Sequence, residues 1–202
     1  MHISDGILPV EVWASSAAVA GGLAGLLLTR LDAEKIPRVA LCTSFFFVAS
    51  LVHVPIGPTS AHLLLIGLVG ILMGPLSLLP IAFGLVLQAL LFGHGGLTTL
   101  GVNALVMGLP AYGAYWVFGL RRRLRARGGA FLFGFLAGWG AVILSLLLLK
   151  SFLTMAGDAF AGVAWTVVIA HQPLALVEGL VTGSAAVFLE KVEPRLLEAA
   201  HA

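Results

Sequence analysis

Long runs of apolar residues, broken only by short polar or Pro/Gly-rich stretches, constrain the fold of this chain more than any other feature. Hydrophobic residues make up 60% of its 202 residues and charged residues only 10%, whereas an ordinary soluble domain carries roughly 25% charged residues. A helix needs about 20 consecutive apolar residues to cross the hydrocarbon layer of a membrane. The sequence therefore predicts an integral membrane protein with a single transmembrane domain, residues 1–202.

Seven windows of suitable length lie between the polar stretches, and they predict an all-α protein with about seven transmembrane helices. The windows are approximately 10–29, 37–53, 60–74, 75–92, 99–119, 129–150 and 172–190. The junction MGPLS, between the third and fourth windows, fits either a tight turn or a kink in one long helix. We interpret the apolar stretch 151–171 as an external cap or an amphipathic segment.

The Lys and Arg residues favour one orientation of these helices. With the N-terminus outside and the C-terminus inside, ten of the eleven fall in three cytoplasmic stretches, RLDAEKIPR, RRRLRAR and KVEPRLLEAAHA. Short cytoplasmic loops of membrane proteins carry such an excess of basic residues, so we expect a multi-pass protein of the inner, cytoplasmic membrane. The same orientation puts most of the histidines on the external side: His2, His53, His62, His94 and His171, but not His201.

Several other classes of function lack their sequence signatures. A net charge of +2, with the basic residues confined to a few loops, does not indicate nucleic-acid binding. The chain contains neither a GxxxxGK[ST] phosphate loop nor an HExxH zinc motif, and Cys42 is its only cysteine. We therefore expect a protein without an ATPase site of its own, and not an enzyme.

The opening Met-His pair is a candidate metal chelator. A free amine on Met1, the peptide nitrogen of His2 and the nearer ring nitrogen of its imidazole can hold one ion in a plane, because the peptide group is itself planar. A planar nitrogen set suits Ni(II) or Cu(II) rather than tetrahedral zinc. His62, which follows the compact turn PIGPTS on the same side, is the candidate fourth nitrogen. Either histidine alone is also typical of an interfacial polar residue.

Four further polar residues are candidates to support this site. His53 and His94 are interpreted as partners that orient a ligating imidazole, or as plain helix-end residues. Asn103 lies about one turn inside the fifth window, where its amide needs a hydrogen-bond partner. Glu178 lies deep in the last window and is expected either to order the N-terminal segment or to pair with Gln88.

Small and turn-forming residues complete the expected surroundings. Gly95 and Gly96 suit a loop that approaches a buried ligand closely. Ser4 and Asp5 are expected to shape the N-terminal segment as a turn without touching the metal. Small residues four apart predict close helix packing in two regions: residues 14–25, and Gly134 with Gly138.

Four segments, in this order, carry a resemblance to a known family: MHISDGILP, HVPIGPTSAHLLLIGLVGILMGP, HGGLTTLGVNA and HQPLALVEGLVTG. They resemble the cobalt/nickel substrate-binding subunits of energy-coupling-factor transporters, the CbiM/NikM family, from residue 1 to about 183. The resemblance implies a seven-helix S component in which Met1, His2 and His62 form a planar four-nitrogen site for transported Ni²⁺ or Co²⁺. Here Leu-Leu-Leu follows His62, where many relatives have Pro-Thr-Gly.

The resemblance also implies partners. These are ATPase subunits, a transmembrane coupling (T) subunit and, in many systems, a small accessory membrane subunit, all surrounded by lipid. The metal is then a transported ligand, and no catalytic cofactor is expected. Two alternatives remain: an intramembrane metal-dependent enzyme with Glu178 as its acid, and a metal-sensing membrane scaffold.

Overall fold

The computed structural model describes residues 2–51, 53–56, 59–124 and 128–198, and helices dominate them. The α-helices in this part of the chain are Val10–Leu28 (α1), Ile36–Leu51 (α2), Ile66–Met73 (α3), Leu78–Phe92 (α4), Leu100–Leu124 (α5), Gly129–Met155 (α6), Asp158–Ala170 (α7), Gln172–Val192 (α8) and Pro194–Glu198 (α9). One antiparallel hairpin, β1 (His53–Ile56) and β2 (Thr59–His62), interrupts the series. The fold is therefore mainly helical.

Several of the described helices suit a membrane. By length and composition, α1, α6 and α8 can each cross one, and α4 and the stretch Ile66–Leu76 are apolar but shorter. The predicted windows lie close to the helices, although α5 and α6 each extend five residues past the ends predicted at 119 and 150. The stretch 151–171 is helical too, since α6 continues to Met155 and α7 follows.

The hairpin departs from the all-α prediction. The third window was expected to be helical from residue 60, but β2 occupies residues 59–62 and α3 begins only at Ile66. Proline removes a backbone donor, and it restricts the residue before it to extended conformations, so Pro55 favours a strand over a helix here. Hydropathy does not distinguish a short apolar strand from a helix, which explains the error.

The MGPLS junction separates two helices rather than kinking one. Helix α3 ends at Met73, and Gly74 has a positive φ of 54°. A single 3-10 turn, Gly74–Leu76, then leads into α4. Glycine in a positive-φ conformation is a common helix end, and a proline directly after it cannot continue the helix, as Pro75 shows.

Glycines let the central helices approach closely. A Cβ atom added at Gly67 of α3 would lie 2.5 Å from the Cα of Gly138 on α6. One added at Gly134 would lie 2.9 Å from the Cα of Gly183 on α8. The close packing predicted at Gly134 and Gly138 is therefore present. In the other predicted region Ala17 packs closely on α5, because a Cβ added at Gly101 would lie 2.4 Å from the Ala17 Cα, whereas Gly21, Gly22 and Gly25 have open space around them.

Candidate metal site

The N-terminal segment, residues 2–9, has no helix or strand of its own and is held by side chains. The N–H of Ile3 donates to Asn103 Oδ1 at 2.9 Å. Its carbonyl accepts hydrogen bonds from Asn103 Nδ2 at 3.0 Å and from Thr99 Oγ1 at 2.8 Å. Ile3 is only 1% exposed, so its backbone groups need these partners in place of water. The contacts fix the backbone beside His2.

Asp5 ties the same segment to the start of α5. Its carboxylate accepts the N–H groups of Leu97 at 3.2 Å, Thr98 at 3.0 Å and Thr99 at 3.3 Å, and also the Thr98 hydroxyl. These N–H groups precede the first turn of α5, where a negative charge is favourable. The hydrogen bond from the Thr98 side chain is the main cause that lowers the pKa of Asp5.

Gly95 and Gly96 allow the loop before α5 to close against the N-terminal segment. Gly95 has a φ of 79°, and a Cβ added there would lie 3.6 Å from the Cβ of His2. A Cβ at Gly96 would lie 2.0 Å from Asp5 Oδ1, which is too close for any side chain. The glycine pair therefore approaches the N-terminal segment closely, while its approach to a bound ligand stays a prediction.

His62 is held from the other side of the site, through the turn that joins β2 to α3. Glu178 on α8, which is fully buried, accepts the N–H of Leu64 and, at 2.9 and 3.0 Å, the N–H of Leu65. Leu65 has a φ of 52°, in the left-handed region that non-glycine residues rarely adopt. A carboxylate from α8 thus holds the β2–α3 turn, residues 63–65.

The two segments bring His2 and His62 together. Their ring centroids are 5.1 Å apart and their planes differ by 22°. Two imidazoles that bind one ion from neighbouring corners, at metal–nitrogen distances of about 2 Å, place their centroids roughly 4.5 Å apart. The observed spacing is close to this value. The His94 ring lies further out, 6.3 Å from that of His2.

Two buried polar side chains lie behind His2. His2 Nε2 is 2.8 Å from Gln88 Oε1, and Gln88 Nε2 donates to Ser50 Oγ at 2.8 Å. Burial is the main cause that lowers the pKa of the His2 imidazole well below its ordinary value of 6.5. The ring is therefore neutral at neutral pH and keeps a lone pair with which to bind a metal ion.

The structure corrects both predictions for Glu178. Its carboxylate holds Leu64 and Leu65, so among the described residues it neither touches the N-terminal segment nor pairs with Gln88. Asn103, not Glu178, orders the N-terminal segment. An acid two turns inside an apolar helix must find donors, but hydropathy does not say which ones.

Three candidate residues remain: Met1, His53 and His94. Met1 lies outside the described residues. The backbone of His53 pairs with that of His62 in the hairpin register. His94 follows the end of α4, where its N–H donates to the Gln88 carbonyl at 3.2 Å.

Sequence reasoning missed three contacts of the site: Ser50 with Gln88, Gln88 with His2, and Thr99 with Ile3. Each of these polar residues lies in an otherwise apolar window or at its edge, and that isolation was the only available signal. The partners are far apart in the sequence, so their pairing depends on the tertiary fold.

Nitrogen donors define the chemistry that this site can perform. Imidazole nitrogen suits Ni, Cu, Co and Zn rather than Mg or Ca. Within the described residues, no group of three His, Cys, Asp or Glu side chains is placed to hold an ion. The chelate predicted from the sequence takes its other two nitrogens from the Met1 amine and the His2 peptide group.

Comparisons with known protein sequences give consistent matches. A family model described as "CbiM: Cobalt uptake substrate-specific transmembrane region" matches residues 2–196. The chain is 35% identical over 215 residues to the "Cobalt transport protein CbiM" of Sorangium cellulosum, covering 98% of this chain and 95% of that protein. It is 32% identical over 216 residues to the protein of the same name from Nostoc sp., covering 98% and 82% respectively.

Solved structures share the fold. The chain matches a structure described as a "transition metal transporter" with a TM-score of 0.72 and 23% identity, covering 95% of this chain and 93% of that chain. A truncated transition metal transporter matches with a TM-score of 0.71 and 24% identity, covering 95% and 99%. At these identities the likeness concerns the fold.

Proposed function

This chain belongs to the CbiM family of cobalt uptake substrate-specific transmembrane regions, and we propose that it is the substrate-specificity (S) component of an energy-coupling-factor transporter. It captures Ni²⁺ or Co²⁺ at the external face of the cytoplasmic membrane, and the metal is its transported substrate. A multi-pass membrane transport subunit, rather than an enzyme, agrees with the names of its relatives.

The placement of His2 beside His62 carries this proposal. The two residues belong to distant parts of the sequence, yet their rings lie 5.1 Å apart. Asn103 and Asp5 hold the first segment, and Glu178 holds the second. A chain that only needed polar residues at a membrane surface would not require separate buried side chains to fix each imidazole.

The proposed ligand set consists of four nitrogens. They are the Met1 amine, the His2 peptide nitrogen, the His2 ring nitrogen nearer the backbone, and an imidazole nitrogen of His62. The amine has an ordinary pKa near 7.7–8.0, and the peptide proton must also leave, so binding releases protons. Acid should therefore unload the site.

The proposed orientation places this site outside, with about seven spans, the N-terminus external and the C-terminus cytoplasmic. Helix α5 begins beside Asp5 and ends in Arg121, Arg122 and Arg123. Its 25 residues correspond to about 37 Å at 1.5 Å per residue, enough to separate the histidines from the arginines by a bilayer. Such arginines favour the cytoplasmic side.

Partners must supply the energy for transport. The chain contains no GxxxxGK[ST] phosphate loop. We propose that ATPase subunits, a T subunit and, in some assemblies, a small accessory membrane subunit complete the transporter.

Metal titration of the purified protein tests this function. Isothermal calorimetry with Ni²⁺ and Co²⁺ should show one site, and His2→Ala and His62→Ala should each weaken it more than the roughly 10- to 100-fold typical of losing an outer partner of a ligand. His201→Ala, outside the described residues, is the control and should bind normally. Unchanged affinity in either His2→Ala or His62→Ala would contradict the proposed site.

Acetylating the amine of Met1 separates this function from the alternatives. An enzyme or scaffold that uses internal ligands should keep its metal, whereas the proposed site should lose it.

A further inference from the structure

Three hydrogen bonds in series connect His2 to the backbone of α2. His2 Nε2 and Gln88 Oε1 are 2.8 Å apart, Gln88 Nε2 and Ser50 Oγ are 2.8 Å apart, and Ser50 Oγ and the Phe47 carbonyl oxygen are 2.6 Å apart. Gln88 and Ser50 are both fully buried. The partners in this relay are therefore protein groups rather than bulk water.

The Phe47 carbonyl oxygen, the last acceptor in the series, determines which group donates in each of the three hydrogen bonds. The Phe47 carbonyl can only accept, so the single hydrogen of the Ser50 hydroxyl is donated to it. Ser50 Oγ must then accept from Gln88, and only the amide NH₂ of Gln88 can donate. That orientation turns Gln88 Oε1 towards His2. Because an amide oxygen only accepts, His2 Nε2 carries the proton.

We propose that Gln88 and Ser50 are positioning residues that select the tautomer of His2 needed for metal binding. A neutral imidazole protonated at Nε2 has its lone pair on Nδ1, the ring nitrogen nearer the backbone. Only Nδ1 can close a small chelate ring with the peptide nitrogen of the same residue. The hydrogen-bond geometry is independent of the proposed function, whereas its role in metal binding rests on that function.

His62 is oriented in the opposite sense. Its Nδ1 lies 3.2 Å from the Leu63 carbonyl oxygen, an acceptor, so Nδ1 carries the proton there and Nε2 carries the lone pair. The two histidines thus present different ring nitrogens because their fixed acceptors differ.

Nitrogen-15 NMR of histidine-labelled, metal-free protein tests the tautomer directly. The two ring nitrogens of a neutral imidazole give distinct signals, and His2→Gln identifies those of His2. We expect the wild type to be protonated at Nε2. Ser50→Ala frees the Gln88 amide to turn over and should give a mixture of tautomers. Thr43→Val removes another buried hydroxyl of α2, one with no hydrogen bond among the described residues, and should leave the signals unchanged.

Metal affinity provides the second measurement. Gln88→Met keeps the length of the side chain but removes the acceptor, and should weaken Ni²⁺ binding by roughly 10- to 100-fold. Gln88→Glu restores an acceptor and should recover most of the affinity, with a shifted visible absorption band. A wild-type His2 protonated at Nδ1, or Ser50→Ala and Thr43→Val giving the same spectra, would overturn the inference. An Nε2-protonated His2 that binds no metal would instead overturn the proposed function.

Discussion

The two segments that carry the histidines are held in different ways. The N-terminal segment has no regular structure, and its backbone groups bond to the side chains of Asn103 and Thr99. The β2–α3 turn is continuous with a strand and a helix, and a single carboxylate, that of Glu178, holds it. The N-terminal segment is therefore docked on the helices as a separate peptide would be, whereas the β2–α3 turn is a continuous part of the fold.

This difference predicts which part of the site fails first. A docked segment can leave without unfolding the helices, because it has no secondary structure of its own and is held by side-chain hydrogen bonds and by the burial of Ile3 and Leu8. The β2–α3 turn cannot move without disturbing α3, which packs closely on α6 through Gly67 and on α5 through Gly70. Loading and unloading of the metal should therefore depend mainly on the N-terminal segment, while the position of His62 stays nearly constant.

Asn103→Leu should have the largest effect, because it removes the acceptor of the Ile3 N–H and one of the two donors to the Ile3 carbonyl, which keeps its hydrogen bond from Thr99. Leaving the buried N–H unsatisfied costs about 1–3 kcal/mol, so the free energy of unfolding should fall by roughly that amount unless the segment undocks. Metal affinity should fall in either case, as calorimetry can measure. The control is Gln172→Leu, since within the described residues that amide donates only to the Val168 carbonyl. Equal metal affinity in the two variants would show that the segment does not depend on Asn103.

Glu178→Gln should have the next largest effect, and on the other segment. Glutamine keeps one acceptor oxygen but turns an NH₂ group towards the N–H groups of Leu64 and Leu65, so about 1–3 kcal/mol should be lost. Thermal unfolding measures the loss. Glu190→Gln, exposed on the same helix, should change nothing. If Glu178→Gln released the N-terminal segment instead, the two segments would not be held separately.

Substitution of Leu65 measures the conformational strain in the β2–α3 turn. The left-handed conformation costs a non-glycine residue about 1–2 kcal/mol. Leu65→Gly and Leu63→Gly each remove a half-buried leucine, and only the first removes this strain. Leu65→Gly should therefore be more stable than Leu63→Gly by about 1–2 kcal/mol in chemical denaturation. Equal stabilities would mean that the turn stores no strain.

The pH dependence that His2 contributes to stability should be the smallest of these effects. The pKa of His2 is lowered by burial, so the unfolded state binds a proton more readily than the folded state below pH 6.5. Stability from a neutral His2 is thus present above pH 6.5 and lost as the pH falls, by about 1 kcal/mol at pH 5.5. Metal-free wild type should show this loss relative to His2→Gln. Parallel pH profiles would contradict it.

The sequence predicted the helices well but not the elements between them. Hydropathy locates long apolar helices such as α1 and α8, because length and composition suffice for them. It treated residues 60–65 as helix, because a short apolar strand has the same hydropathy.

The candidate site was only partly predictable. Chelate chemistry selected His2 and His62, and the structure places their rings together. The residues that fix them, Gln88, Ser50 and Glu178, act across long sequence separations. A buried polar residue needs a hydrogen-bond partner, but only the tertiary fold shows which residue that partner is.

A metal-loaded crystal structure with anomalous scattering recorded at the Ni or Co absorption edge tests the central claim most directly. We predict a single strong peak between His2 and His62, within bonding distance of His2 Nδ1 and of the first residue's amine, with the N-terminal segment docked on Asn103. A peak elsewhere in the protein, with the N-terminal segment undocked, would contradict the account.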